Sequence, residues 1–181
     1  IINDPQIYKI MIFGQETWGW YDHCSLENSW GIPFLAGSVF IAAEGGYVNG
    51  KERLSAGILS ATDGWLDGKG AYEPRNASQL IPYVSAHDNY TLWDKLKLSD
   101  PKRKEDAEPD FDKMDERTLS MNRLAAGIVM TCKGMPFFQA GEEFARTKHG
   151  EGNSFKSSWQ LNKIDWTRAL EQEELVDYYR G

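Results

Sequence analysis

Three short apolar runs constrain this chain more than any other feature, because each stops abruptly at polar side chains. Lys9-Ile10-Met11-Ile12-Phe13 ends at Gly14-Gln15-Glu16. Leu80-Ile81-Pro82-Tyr83-Val84 leads to His87-Asp88-Asn89, and Met135-Pro136-Phe137-Phe138 leads to Gln139 and Glu142-Glu143. Continuous apolar runs closed by Gly or polar residues read as strands buried on both faces, the pattern of a parallel sheet. Pro82 and Pro136 sit near the starts of their runs, where a strand residue need not donate to the ladder.

Helical patterns fill the intervals. Met121, Leu124, Ala125, Ile128 and Cys132 recur at helical spacing and predict a helix over about Asp115 to Lys133, with Lys133-Gly134 as its stop. Leu92 to Leu98 predicts an earlier helix and Glu171 to Arg180 a later one. Ser99 to Asp112, rich in charge and Pro, predicts an exposed loop. Within it Lys102-Arg103-Lys104 is followed at once by Glu105-Asp106 and reads as solvated. Gly31 to Gly70 gives no clear element.

Strands alternating with helices predict βα units on a parallel sheet, and polar residues at the C-terminal ends of strands are what a (β/α)₈ barrel uses for its site. The separation of Glu16 from Asp88 matches two such units at about 31 residues each. That places an intervening strand near Trp30 to Phe40.

Composition narrows the function classes. With 181 residues and 41% hydrophobic content the chain can bury one sizeable core. A net charge of -7 supplies no basic face for nucleic acid or an anionic membrane surface. No stretch approaches the length of an apolar membrane span. Cys24 and Cys132 lie outside any metal-ligand spacing and read as two unrelated thiols.

The polar strand ends admit several chemistries. His23, His87 and His149 are isolated from one another, which argues against a histidine metal site, and no G-x-S-x-G elbow occurs. Glycoside hydrolysis fits better. It needs an acid for the leaving oxygen, a carboxylate facing the anomeric carbon and hydrogen bonds to sugar hydroxyls. Glu16 fits the acid, with Asp88 and His87 placed to hold ring hydroxyls. Seven tryptophans and eight tyrosines suit sugar stacking, and Trp18, Trp20, Tyr90 and Trp93 flank the candidate acids. Core packing is the competing reading for each aromatic, as turn chemistry is for His87-Asp88-Asn89 and a solvated strand end for Glu16.

Longer stretches carry a resemblance. YVSAHDNYTLWDKL (Tyr83 to Leu96) resembles the seventh-strand segment of the α-amylase family of glycoside hydrolases, in its type I pullulanase form. GMPFFQAGEEFARTKHGEGNSF (Gly134 to Phe155), with NKIDW (Asn162 to Trp166), is similar to the eighth strand and its loop. KIMIFGQETWGW (Lys9 to Trp20) resembles the fifth-strand motif, and SVF (Ser38 to Phe40) with GYVNG (Gly46 to Gly50) the region after the sixth strand.

The resemblance implies the C-terminal half of a (β/α)₈ barrel across residues 1–181, strands five to eight, without the first four strands and the β-sandwich that usually follows. It implies Glu16 as general acid/base if the Trp is kept in register, or Gln15 at that position if the Gly is. It implies Asp88 as the carboxylate that stabilises the transition state, with His87, Asn89, Trp18 and Tyr90 contacting substrate. Asp88 would then help Glu16 stay protonated.

The family's nucleophile, an Asp in an Arg-Phe-Asp context on the fourth strand, has no match and would precede Ile1. Gly31 to Phe40 is shorter than the family's pattern. The expected activity is hydrolysis of α-1,6 links in pullulan, amylopectin and related α-glucans, with an α-1,4-specific amylase, another debranching enzyme or a non-catalytic α-glucan-binding relic as alternatives. The expected partners are the α-glucan and the remainder of the chain's own barrel. No organic cofactor is implied. Some relatives bind calcium, but no compact run of alternating oxygen ligands supports it here.

Overall fold

The computed structural model describes residues 45–64, 77, 80–87, 89–103 and 107–181. The first apolar run, Glu16, Trp18, Trp20, Cys24 and the strand expected near Trp30 to Phe40 lie outside the described residues, as does Asp88. Six α-helices are described, α1 (Ser55–Thr62), α2 (Leu92–Leu98), α3 (Glu116–Thr131), α4 (Trp159–Asn162), α5 (Trp166–Glu171) and α6 (Glu173–Arg180), with 3₁₀ turns at Tyr47–Asn49, Glu142–Phe144 and Ser154–Lys156.

The second and third apolar runs lie side by side. Met135 N–H donates to the Leu80 carbonyl and Phe137 N–H to the Pro82 carbonyl, both at 2.9 Å. A step of two on both segments in the same direction is a parallel register. The return bond toward Met135 would come from residue 82, and proline has no N–H to give. The segments therefore keep a sheet-like alignment without a closed ladder, and no β-strand is formed among the described residues. Lys133 N–H donates to Thr62 O, and its side chain pairs with Asp63, extending the row to the end of α1.

The helices start where side chains can cap them. Thr91 Oγ1 accepts from Asp94 N–H at the head of α2, and Asp115 Oδ1 accepts from Thr118 N–H at the head of α3. Asp115 also pairs with Lys97 at 2.5 Å, joining the two helices. The turn at Tyr47–Asn49 is docked through Asn49, whose Oδ1 accepts from Gly46 N–H and whose amide reaches Ser99 Oγ at 3.2 Å.

Helix α3 is the centre of packing, touching α1, α2, α6 and the Tyr47–Asn49 turn. One stripe, Met121, Ala125 and Val129, continues through Cys132 into a cluster with Val48, Ile58, Leu80, Val84, Leu92 and Leu96. A second stripe with Thr118, Asn122 and Ala126 is also buried. Because the buried arc turns toward these residues, Leu124 lies outside it and is 45% exposed, against the expectation from spacing.

Two further expectations are amended. Ser99 is buried rather than part of an exposed loop, and Arg103 folds back to donate to the Ala107 and Leu98 carbonyls. Trp93 is fully buried, with its Nε1 donating to Phe111 O at 2.9 Å, so it is a core residue and not a stacking surface. The Cys132 thiol is free and buried, donates to Ile128 O, and is pushed up to about 12 by burial.

Gly134 follows α3 with φ +120°, and a Cβ there would meet Leu80 O at 2.8 Å. Only glycine joins the helix to the paired segment at that distance. Gly134→Ala is expected to lower stability by at least about 2 kcal/mol through backbone strain alone. The apparent Tm of the full-length protein checks this, and an unchanged value would contradict it.

Candidate active site

The segment that ends in His87-Asp88-Asn89 changes character along its length. Tyr83, Val84, Ser85 and Ala86 are buried, while His87 is exposed and Asn89 and Tyr90 are half-buried. Asn89 takes a left-handed conformation, φ 62°, which asparagine tolerates better than most residues. The chain thus turns at Asn89 and enters α2 through the Thr91 cap. His87, Asn89 and Tyr90 stand together at this turn. The Tyr90 ring packs on Gly152, where an added Cβ would meet the ring at 3.1 Å. Glu16, Trp18 and Asp88, the other residues expected at the site, are outside the described set.

Behind the turn lies a buried carboxyl that the sequence marked only as polar. Glu142 Oε1 accepts from Ser85 Oγ and from Gln139 N–H, both at 2.7 Å. It therefore bridges the two apolar segments two residues before His87. Burial pushes its carboxyl up to about 8, opposed by the two donors and aided by the Glu143 charge. The polar layer continues outward: Asn122 Nδ2 reaches Glu142 O at 3.4 Å, and the Tyr179 hydroxyl donates to Asn122 Oδ1 at 2.9 Å. The sequence signal for Glu142 was its place just after the Met135 to Phe138 run, but spacing gave no hint that it would be fully enclosed.

A second buried acid, Asp94, holds the loop that follows. It accepts from Thr147 Oγ1 and from Lys148 N–H at 2.7 Å, with further donors at Gly150 N–H and the Thr91 hydroxyl. Burial raises its carboxyl above the usual range and the donors hold it back. Lys148 is itself buried and donates to Ser154 Oγ at 2.6 Å and to the His87 carbonyl at 3.3 Å. A cavity of about 360 Å³ opens elsewhere along this loop, where Arg146, His149, Lys163 and Arg168 face Asp112 and Asp165. Its lining does not include His87, Asn89 or Tyr90. Among the described residues no group of three or more His, Cys, Asp or Glu is placed to hold a metal ion, and no helix is long and apolar enough to cross a membrane.

The chain has counterparts among known proteins. The chain is 42% identical over 103 residues to pullulanase of Bacillus subtilis strain 168, covering 57% of this chain and 13% of that protein. It is 36% identical over 90 residues to the chloroplastic pullulanase 1 of Arabidopsis thaliana, covering 50% of this chain and 8% of that protein.

The proteins it resembles, over about half of its length in sequence, are pullulanases.

Solved structures agree. A Paenibacillus barengoltzii pullulanase in complex with maltohexaose and α-cyclodextrin matches with TM-score 0.69 and 36% identity over 81% of this chain and 21% of its own. A type I pullulanase of Bacillus subtilis in complex with maltose matches with TM-score 0.70 and 34% identity over 81% and 19%. These structural neighbours are pullulanases, which have a (β/α)₈ barrel. No protein-family model matches the chain. The chain spans only about an eighth of the length of the Bacillus subtilis pullulanase, a 13% share.

The raised Glu142 carboxyl has a consequence for stability. Its ordinary value is 4.5 and its folded value about 8, so between these limits the folded protein keeps a proton that the unfolded chain has lost. Stability therefore falls as pH rises through this window, by at most about 1.4 kcal/mol per pH unit. Glu142→Gln keeps an oxygen for Ser85 and Gln139 but cannot ionise. Melting curves from pH 5 to 8 should fall more steeply for the wild type than for this variant, and parallel curves would contradict the assignment.

Proposed function

We propose that residues 1–181 supply the C-terminal half of a (β/α)₈ barrel, strands five to eight, in a retaining debranching enzyme that hydrolyses α-1,6 links of pullulan, amylopectin and related α-glucans. The observation that carries this reading is the 42% identity to a pullulanase over more than half of the chain. It is supported by the maltohexaose, α-cyclodextrin and maltose bound in the matching pullulanase structures.

On this reading Glu16 protonates the glycosidic oxygen as the bond to the leaving sugar breaks. The same residue then takes a proton from water when the covalent intermediate is hydrolysed. Asp88 holds a fixed negative charge beside the developing oxocarbenium ion and accepts from a sugar hydroxyl. His87 donates to a ring hydroxyl, Asn89 contacts its neighbour, and Trp18 and Tyr90 offer apolar faces to the pyranose rings. The nucleophilic aspartate is contributed by a strand that precedes Ile1. The chain by itself is then inactive, and the remainder of its own barrel is its first partner.

The position of His87 supports this arrangement, since an exposed imidazole follows four buried residues and precedes a sharp turn. In the full-length protein, pullulan hydrolysis followed by reducing-end release is the test. Asp88→Asn and Glu16→Gln are each expected to lower kcat by about a thousandfold or more while the melting temperature holds, as for loss of a group that acts in the transition state. Wild-type turnover in Asp88→Asn would overturn the site. Activity on amylose alone, with pullulan untouched, would replace the α-1,6 reading with an α-1,4 one.

A further inference from the structure

Loop 141–150 connects the Glu142 layer to Asn162, and it contains more left-handed backbone than its sequence suggests. Gly141, Ala145, His149 and Gly150 all have positive φ, 108°, 56°, 50° and 78°. Such a run needs to be held from outside itself. The Asp94 carboxylate does this by collecting Lys148 N–H, Gly150 N–H and the Thr147 hydroxyl, an anion seated in a concavity of backbone donors. The carboxylate comes from the first turn of α2, and the turn it fixes determines where the Lys148 side chain starts.

From there Lys148 runs inward. Its ammonium meets Ser154 Oγ at 2.6 Å and the His87 carbonyl at 3.3 Å, and the residue is only 4% exposed. Ser154 is fixed in turn: its hydroxyl donates to Asn162 Oδ1 at 2.9 Å and its carbonyl accepts from Asn162 Nδ2 at 2.8 Å. The acceptor on His87 belongs to the peptide that leads directly into Asp88. A buried ammonium is costly unless its donors are met, so these oxygens are held to it as firmly as it is held to them.

We propose that Lys148 is a positioning residue that acts through the His87 carbonyl, fixing the backbone that leads into Asp88. The inference rests on the proposed role of Asp88. Its consequence is specific: loss of the ammonium displaces the transition-state carboxylate together with the His87 peptide and leaves the Trp18 and Tyr90 stacking faces in place, so the loss falls chiefly on the transition state. A displacement of about 1 Å is enough for a loss on the order of a hundredfold.

The test uses the full-length protein on pullulan, with Lys148→Met and Ser154→Ala compared to the wild type. Lys148→Met is expected to lower kcat tenfold to a hundredfold with KM within about threefold, and Ser154→Ala to lower kcat severalfold with KM unchanged. A wild-type kcat in folded Lys148→Met, or a loss expressed mainly in KM, overturns the inference. If Lys148→Met does not fold, Ser154→Ala decides: a kcat loss at constant KM supports the positioning role and a wild-type kcat overturns it. A wild-type protein without action on pullulan overturns the functional reading itself, and the inference with it.

Discussion

Burying the Asp94 carboxylate organises the described structure. An acid with no exposed surface must be surrounded by donors, and the donors available are Thr91 on its own helix and the backbone of residues 148 and 150 with the Thr147 hydroxyl. Meeting that demand draws the loop after Glu142–Phe144 onto the head of α2. It thereby brings two segments more than fifty residues apart in sequence into one wall. Trp93, next to Asp94, fills the space behind, between the Lys97 ammonium at 5.0 Å and the Arg168 guanidinium at 5.9 Å from its ring.

Glu142 makes the complementary connection. Where Asp94 fastens a loop to a helix, Glu142 fastens one paired segment to the other, through Ser85 on the first and Gln139 on the second. The parallel segments need such support because Pro82 removes a ladder donor. A hydroxyl and a backbone N–H aimed at one carboxyl oxygen supply directional contact where the ladder is incomplete. Helix α3 backs both, with its apolar stripe toward Leu80 and Val84 and its polar stripe, led by Asn122, toward Glu142 and Tyr179.

Much of this was legible in advance, and the exceptions have physical causes. The α2 boundaries, Leu92–Leu98, match the sequence reading because Thr91 caps the helix and the apolar residues keep helical spacing. Helix α1 was not legible: Ser-Ala-Gly-Ile-Leu-Ser-Ala-Thr has a weak periodicity and a glycine, and only Ile58 and Ala61 are buried. Helix α3 ends at Thr131, earlier than the Lys133-Gly134 stop, since Cys132 already turns extended to bring residue 133 to Thr62 O. Of the apolar runs expected to be strands, the second and third lie in a parallel register but form no β-strand among the described residues, because Pro82, one of the prolines taken as tolerable, is the residue that would return a bond.

By itself the sequence determined the order of apolar runs and helices, the polar cluster at His87-Asp88-Asn89 and the family likeness, because these depend on local periodicity and on residue identity along the chain. Tertiary structure alone decided which polar residues are enclosed. Asp94, Glu142 and Lys148 are indistinguishable in sequence from solvated charges on a helix or loop. Their burial, and the shift it imposes on the two acids, follows from packing against segments far away in the chain, which no spacing rule encodes.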